Sequence, residues 1–293
     1  MTSDGLTRRD FLKIAAIAPF ADAAFGAAVA PAPAQPRVVL IRDKNAVDSQ
    51  GAGKPEVIQA MMDQAITALT GEKNALDGWK GIVSPSDTVG IKTNVWNYLP
   101  TGSAVEQALK KRIVEAGVSE EKIGIDDRGV RNNPLFTNAT ALINARPART
   151  HYWAGMGSCI KNMIMFSDSP PSYHADTCAD LALLWNLPAI KGKVRLNVLV
   201  MLTPLFHGVG PHHFSAQYVW TYGGLIVGRD PVAVDATGVR ILEAKRREFF
   251  GEERPLQPPA KHVFLADTRH KLGVSGADQI ELIKFGWSDG ILI

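Results

Sequence analysis

The chain has 293 residues, of which 46% are hydrophobic and 21% are charged, and its formal net charge is +3. This length is sufficient for one large domain or two modest ones with a substantial apolar core. Its 26 Gly and 18 Pro are scattered and not periodic, which excludes collagen, a coiled coil and general disorder. Because the charge is small and dispersed, we expect no nucleic-acid partner.

The N-terminal segment resembles a twin-arginine export signal. Residues 7–13 read Thr-Arg-Arg-Asp-Phe-Leu-Lys, in which Arg8 and Arg9 are the paired arginines. An alanine-rich apolar stretch follows, and Ala34 closes a small-residue cleavage site, with Ala27 and Ala30 as competing positions. Asp22 interrupts the apolar stretch, which argues against a membrane span.

This signal predicts both the domain boundaries and the compartment. We expect a signal peptide over residues 1–34 and one α/β domain over residues 35–293. Removal of the signal leaves the net charge at +3, since it contains three basic and three acidic residues. The predicted partner during export is the twin-arginine (Tat) translocase, and the predicted location is periplasmic or otherwise extracytoplasmic.

Seven near-continuous apolar runs rich in Val and Ile predict buried strands, and helical patterns lie between most of them. The predicted strands are 37–43, 88–94, 122–127, 149–153, 194–202, 223–228 and 262–267. The predicted helices are 54–69, 103–116, 175–186, 231–250 and 277–285. This alternation predicts an α/β fold with a mostly parallel sheet and helices on both faces.

Polar residues end one of these apolar runs and recur as a similar pair at the start of a short helix. Lys92 and Asn94 end the predicted strand 88–94, and Lys161 and Asn162 repeat the pair at the start of a short helix. Ligands of parallel sheets gather beyond the carboxyl ends of the strands, so each lysine could hold an anionic oxygen beside an asparagine amide. The alternative is helix capping and solvation at the surface.

Histidines in a Gly- and Pro-containing loop are the second candidate site. His207, His212 and His213 follow the strand 194–202 and could ligate a divalent metal or transfer protons. Adjacent residues of an extended segment face opposite sides, so at most one of the last two would share a site with His207. The alternative is histidines satisfied within a turn. Further candidate ligands are Asp126, Asp127, His151 and Asp230.

The two cysteines, Cys159 and Cys178, are too few for an iron–sulfur cluster or a Cys-rich zinc site. The Cys-x-x-Cys-His pattern of c-type haem is absent as well, so we expect neither of these cofactors in this chain. Two alternatives remain for the pair. One is a disulfide that closes a loop of about 20 residues, and the other is two buried thiols.

Other nucleophilic and nucleotide-binding signatures are missing. The chain contains no Gly-x-Ser-x-Gly elbow, no phosphate-binding P-loop, and no Gly-x-Gly-x-x-Gly after the first strand. Aromatic residues flank the candidate loops and either line a pocket or belong to the core. They are Trp96, Tyr98, Tyr152, Trp153, Tyr218, Trp220 and Tyr222.

Four segments resemble, in this order, the landmarks of the DUF362 family, a set of domains of unknown function. They are Ile91-Lys92-Thr93-Asn94, Ile160-Lys161-Asn162-Met163, the turn 208–211, and the segment 228–235. The last, Gly-Arg-Asp-Pro-Val-Ala-Val-Asp, is the most specific. Thr93 stands where the family often has Pro. Many relatives carry a ferredoxin-like iron–sulfur segment and some are exported, whereas this chain lacks the cysteines for a cluster.

Together, these features predict an exported enzyme or redox accessory with a pocket for an anionic ligand or a metal. Ligand binding is predicted for Lys92, Asn94, Lys161, Asn162 and Asp235, and metal binding for His207, His212 and Asp230. The candidate catalytic residues are His207, His212, Lys92 and Lys161.

Two alternatives stay open. The protein could be a non-catalytic binding or assembly protein of the cell envelope, which dispersal of the candidate side chains would favour. The two aspartates could also be structural, with Asp230 as a helix cap and Asp235 as a buried partner of a cation.

Overall fold

The computed structural model describes residues 35–208 and 214–293. The strands in these residues are β1 (Arg37–Arg42), β2 (Val89–Lys92), β3 (Ile123–Asp126), β4 (Ala141–His151), β5 (Gly155–Gly157), β6 (Val194–Leu205), β7 (Gly224–Gly228) and β8 (Glu281–Gly286). The predicted signal over 1–34 and the candidates His212 and His213 lie outside the described residues.

Helices connect most of these strands. They are α1 (Pro55–Thr70), α2 (Ala75–Lys80), α3 (Ser103–Glu115), α4 (Pro134–Thr137), α5 (Cys159–Asn162), α6 (Ala175–Cys178), α7 (Pro231–Phe250) and α8 (Lys261–Thr268). Short 3-10 helices occur at Glu120–Lys122, Met163–Phe166, Pro170–His174, Leu181–Asn186, Ala216–Tyr218 and Ala277–Gln279. Within the described residues, no helix is both long and apolar enough to cross a membrane.

The strands form one sheet in the order β3-β2-β4-β6-β7-β1-β8, and β5 pairs with β4. Neighbouring strands from β3 to β6 are parallel, as are β1 and β8. Strand β7 runs antiparallel to both β6 and β1. The predicted mostly parallel α/β fold is therefore confirmed.

Apolar clusters cover both faces of the sheet. In β1, Val38 and Leu40 belong to one cluster, whereas Val39 and Ile41 belong to the other. Successive side chains of a strand point to opposite faces, so the two clusters lie on opposite sides of the sheet. Helices α1 and α3 contribute to the second cluster, and α4, α5 and α7 to the first. Helices on both faces were predicted from the alternation of elements.

Helix α7 has the predicted bounds, and local chemistry explains both ends. Asp230 Oδ1 accepts hydrogen bonds from the backbone N–H groups of Val232 and Ala233, at 2.8 and 3.1 Å. Pro231 occupies the first turn, where no backbone N–H is needed. Gly251 ends the helix in the left-handed conformation at φ 72°. The predicted capping role of Asp230 is confirmed.

Two predicted elements near the C-terminus have the wrong type. Residues 262–267, predicted as a strand, lie in α8, and residues 277–285, predicted as a helix, contain the 3-10 helix Ala277–Gln279 and then most of β8. The buried residues of α8 include His262 and Ala266, one helical turn apart, which fits a helix against the core. Strand β8 lies at the edge of the sheet and is held by β1, a distant pairing that a local pattern does not reveal.

The predicted helix 175–186 is not continuous. Asp176, Thr177 and Cys178 have positive φ angles of 45°, 56° and 63°, a conformation that L residues rarely adopt in succession. The chain therefore turns at α6 and continues as the 3-10 helix Leu181–Asn186.

The strand order places a crevice at the carboxyl ends of β2 and β4. From β2 the chain crosses to β3 on one side. From β4, which lies on the other side of β2, the chain continues to β6, away from β2. Connections that leave two adjacent parallel strands in opposite directions open a gap above their carboxyl ends, which is the usual ligand position in such folds.

Candidate functional site

Lys92, at the carboxyl end of β2, is fully buried and ion-paired. Its Nζ donates to Asp127 Oδ1 at 2.5 Å, to the Thr93 carbonyl at 2.7 Å and to Asn162 Oδ1 at 3.3 Å. An ammonium has three donors, so these contacts occupy it completely. Lys92, which was predicted to bind a ligand, is instead bound by groups of the protein itself.

Each group of this pair shifts the pKa of the other. Burial lowers the pKa of Lys92 to about 8, although the charge of Asp127 opposes that shift. Burial alone would raise the pKa of Asp127, but the charge and hydrogen bond of Lys92 hold it below its usual range. Asp127 Oδ2 also accepts from the backbone N–H of Val95 at 3.0 Å. The pair thus ties the loop after β2 to the end of β3.

A network of buried amides connects Lys92 with α5. Asn162 Nδ2 donates to Asn144 Oδ1 at 2.9 Å and to the Lys92 carbonyl at 3.2 Å. Asn144 Nδ2 in turn donates to Asn197 Oδ1 at 2.9 Å and to the Cys159 carbonyl at 3.0 Å. These bonds run across β2, β4 and β6 and fix the start of α5 above the sheet.

Asp235, on α7, holds the N-terminus of α5. Its two carboxylate oxygens accept from the backbone N–H groups of Cys159 and Ile160, both at 2.8 Å. Burial raises the pKa of Asp235 to about 6, although these donors favour the carboxylate. Asp235 is fully buried and does not line the pocket described below. Asp235 therefore positions α5. Its partners are backbone N–H groups and not the buried cation that the sequence suggested as an alternative.

A cavity of about 370 Å³ lies beyond the carboxyl ends of β2 and β3 and along the carboxyl half of β4. Its cationic side chains are Arg128, Arg146, Arg149 and Lys161. Its other polar side chains are Asn94, Asp127, His151, Asn162 and His174. Its apolar wall consists of Trp96, Trp153, Ile164, Met165 and Pro170. Because Lys92 neutralises Asp127, the cavity carries a clear excess of positive charge.

Arg146 is the buried cation of this cavity that lacks a partner in the part of the chain that the structure describes. Only 4% of it is exposed, yet within the described residues its guanidinium forms no hydrogen bond and no ion pair. Asp127 and Asp235 act on it electrostatically without reaching ion-pair distance, while burial lowers the pKa of Arg146. A guanidinium nevertheless remains charged in proteins. The structure thus presents a buried cation towards a cavity.

Arg149 lies beside it and is held in place by the loop after β2. Its guanidinium lies 4.4 Å from the centre of the Trp96 ring, and its Nη1 donates to Asn94 Oδ1 at 3.0 Å. Arg149 Nε has no hydrogen-bond partner among residues 35–208 and 214–293. Burial, and then the charge of Arg146, lowers the pKa of Arg149. Asn94 therefore lines the pocket, as predicted, and also orients an arginine.

Lys161 brings an amine to the cavity from α5. It is 3% exposed, and its Nζ lies 3.2 Å from His174 Nε2 and 3.8 Å from Cys178 Sγ. Burial, with a further effect from the charges of Arg146 and Arg149, lowers the pKa of Lys161 to about 8. Burial and the charge of Lys161 lower the pKa of His174 to about 4, so this imidazole is neutral at pH 7.

His151, at the end of β4, is the other histidine of the cavity. Burial and the neighbouring cations lower the pKa of His151 far below its usual range, so the ring is neutral. Its Nδ1 accepts from the backbone N–H of Trp153 at 3.2 Å. The proton of the neutral ring is therefore assigned to Nε2, which can serve as a donor.

The structure does not bring the predicted metal ligands His207 and Asp230 together. His207 Nδ1 accepts from Arg246 Nη1 at 2.9 Å, near the end of α7, whereas Asp230 caps its start. Sixteen residues of helix separate Arg246 from Asp230, or roughly 24 Å at about 1.5 Å per residue. In the residues that the structure describes, no three His, Cys, Asp or Glu side chains form a group that could hold a metal ion.

Asp230 is occupied by backbone groups. Its Oδ1 caps α7, and its Oδ2 accepts from the backbone N–H of Val274 at 2.9 Å.

The two cysteines correspond to the thiol alternative, since Cys159 and Cys178 are both buried and free. Cys178 lies beside Lys161, and Cys159 at the start of α5.

The structure thus brings three of the predicted ligand-binding residues, Asn94, Lys161 and Asn162, to one cavity, together with two of the further candidate ligands, Asp127 and His151. It adds Arg146 and Arg149, which the sequence analysis did not select. Both belong to the continuously buried strand β4, whose sequence is Ala-Leu-Ile-Asn-Ala-Arg-Pro-Ala-Arg-Thr-His. Two arginines spaced three residues apart in the carboxyl half of this buried strand are the signal that could have identified them.

The fold and this cavity define an α/β protein with a cationic pocket at the carboxyl ends of its strands. Residues 127–240 match the family model described as "Domain of unknown function (DUF362)". The matched segment contains Asp127, Arg146, Arg149, Lys161 and Asp235, and it supports the resemblance noted from the sequence motifs. No curated protein and no solved structure matches the chain.

Proposed function

We propose that the protein binds a small anionic molecule, a carboxylate or a phosphate, in the pocket beyond β2, β3 and β4. The observation that carries this proposal is Arg146, a buried guanidinium that lines the cavity without an anionic or hydrogen-bonding partner in the described chain. A buried charge without a partner is strongly unfavourable, and an anionic ligand would supply the missing partner.

The other groups of the pocket favour the same kind of ligand. Arg149 and Lys161 add positive charge, and the neutral His151 adds a donor at Nε2. A volume of about 370 Å³ suits a small molecule and lies at the lower end of the usual range for ligand pockets. The groups therefore match a compact anion in charge, hydrogen bonding and size.

Calorimetric titration of the full chain with sulfate, phosphate, pyruvate and lactate tests the proposal. We expect saturable binding of at least one of these anions with one site per chain. Choline chloride, titrated against the same protein, supplies a cationic control and should give no binding signal. Flat titrations with all four anions would contradict the proposal.

Binding of sulfate should depend on pH through Lys161. Sulfate keeps its charge at neutral and alkaline pH, so the protein alone determines the profile. The pKa of Lys161 is about 8, and the amine is positive below this value. We therefore expect the affinity for sulfate to fall as the pH rises through about 8, or somewhat higher once the bound anion stabilises the ammonium.

The matched variant for this profile is Lys161→Gln. It should bind sulfate more weakly at neutral pH and show a flatter dependence above it, because the titrating charge is gone. An unchanged profile in the variant would mean that another group controls binding.

We also propose that the protein is exported by the twin-arginine pathway, on the strength of Arg8, Arg9 and the apolar stretch after them. Replacing both arginines by lysine should leave the protein in the cytoplasm with its leader attached, whereas the wild type should appear in the periplasmic fraction. Fractionation and immunoblotting measure this difference. Equal export of both proteins would contradict the proposal.

A further inference from the structure

Lys161 differs from the other buried lysine of the site in what surrounds its amine. Lys92 Nζ is bound to a carboxylate at 2.5 Å, whereas the groups within reach of Lys161 Nζ are an imidazole and a thiol, at 3.2 and 3.8 Å. Lys161 lines the cavity, and Lys92 does not. An amine that is desolvated, close to other cations and open to a ligand is suited to act as a nucleophile.

We propose that Lys161 forms an imine with the carbonyl carbon of a 2-oxo carboxylate whose carboxylate group is held by Arg146 and Arg149. This inference rests on the proposed function, because the same pocket must first bind the anion. A 2-oxo carboxylate has its reactive carbonyl next to its anionic group. Such a ligand can therefore place both groups in one small cavity lined by guanidinium groups and an amine.

The reaction needs no oxidant and no further co-reactant. The lone pair of the neutral Lys161 nitrogen attacks the carbonyl carbon, a C–N bond forms, and the carbonyl π electrons move to oxygen. The two protons of the nitrogen are then transferred to this oxygen, the nitrogen lone pair forms the C=N bond as the C–O bond breaks, and the oxygen leaves as water, so that amine and ketone give imine and water.

The surroundings of Lys161 support the attack and the first proton transfer. Its lowered pKa, about 8, leaves an appreciable fraction of the amine neutral near pH 7. His174 Nε2, at 3.2 Å, belongs to a neutral ring and can accept the proton that the attacking nitrogen releases. Arg146 and Arg149 favour the neutral amine electrostatically, because a second positive charge beside them is unfavourable.

The test is reductive trapping of the full-length protein with pyruvate and sodium cyanoborohydride near neutral pH. We expect intact-mass spectrometry to show one added group equal to pyruvic acid less one oxygen atom, and peptide mapping to locate it on Lys161. Lactate, which carries the carboxylate without the ketone, should give no adduct. Excess lactate should slow trapping by pyruvate, since both compete for the same pocket.

Lys161→Arg is the variant that separates binding from chemistry. It keeps the positive charge, so trapping by pyruvate should be lost altogether while lactate binding falls far less, and calorimetry on the same variant measures the second change. Thermal unfolding of the variant confirms that it is folded. An adduct that persists in this variant, or that is spread over exposed lysines in the wild type, would overturn the imine proposal.

The two proposals fail in different ways. Saturable binding of pyruvate without a trapped adduct would overturn the imine and leave anion binding intact. Absence of binding by every anion, together with absence of trapping, would overturn both. A single adduct on Lys161 that excess lactate suppresses supports both.

Discussion

Replacing Arg146 by Gln should weaken binding of pyruvate and sulfate by about 10- to 150-fold. Hydrogen bonds to charged groups contribute about 1.5–3 kcal/mol, and about 1.4 kcal/mol corresponds to a factor of ten. Arg146 has no other partner among the described residues, so a neutral side chain loses its interaction with the anion and little else. Calorimetric titration of the variant and the wild type measures the ratio of dissociation constants.

The stability of the Arg146→Gln variant provides an independent test. Removing a buried charge that lacks a partner should leave the free energy of unfolding of the ligand-free protein unchanged or raise it. Arg195→Gln is the matched control, because Arg195 is exposed on β6 beside the amino end of that strand, away from the pocket. Equal binding by wild type and Arg146→Gln would refute the assignment of Arg146 to the anion.

Replacing Asp235 by Ala should lower the free energy of unfolding by about 3 kcal/mol or more. The change leaves the backbone N–H groups of Cys159 and Ile160 buried without acceptors, and each such group costs about 1–3 kcal/mol. Asp235→Asn should also be destabilising, since its NH₂ group would face one of two N–H donors. Urea denaturation followed by circular dichroism measures both changes.

Asp230→Asn is the comparison within the same sequence motif. The Asn side chain still caps α7 but loses the acceptor for the backbone N–H of Val274, so we expect a loss of about 1 kcal/mol. Similar losses for Asp235→Ala and Asp230→Asn would argue against the role of Asp235 at α5. Pyruvate binding by Asp235→Asn, if it folds, should weaken because α5 carries Lys161.

The fold was predictable where local chemistry decides the structure. Helix α7 combines a capping aspartate, a proline in its first turn and a closing glycine, so both of its ends follow from neighbouring residues. The errors at α8 and β8 arose where local sequence does not decide the structure. A short apolar run fits a helix or a strand equally well, and the strand type of β8 depends on its distant pairing with β1, in which Arg37 lies opposite Glu281.

The candidate site was predictable in its position more than in its residues. The rule that ligands lie beyond the carboxyl ends of parallel strands selected Asn94, Lys161 and Asn162, which all line the cavity. The same rule selected Lys92, but whether a strand-end lysine faces a ligand or a carboxylate depends on Asp127, 35 residues further along the chain. Arg146 was missed because the predicted strand covered only residues 149–153, so the segment 141–148 was not recognised as part of a strand that ends at the cavity.

The order of strands also determines when the sheet can be completed during synthesis. The neighbours of β1 are β7 and β8, and β7 begins at Gly224, roughly 180 residues after β1 ends. At the usual rate of translation this interval lasts roughly 10 to 40 s, during which the apolar β1 has left the ribosome without its partners. During this interval both edges of β1 are unpaired, and unpaired strand edges favour aggregation, so β1 is the segment that a holding chaperone would need to shield.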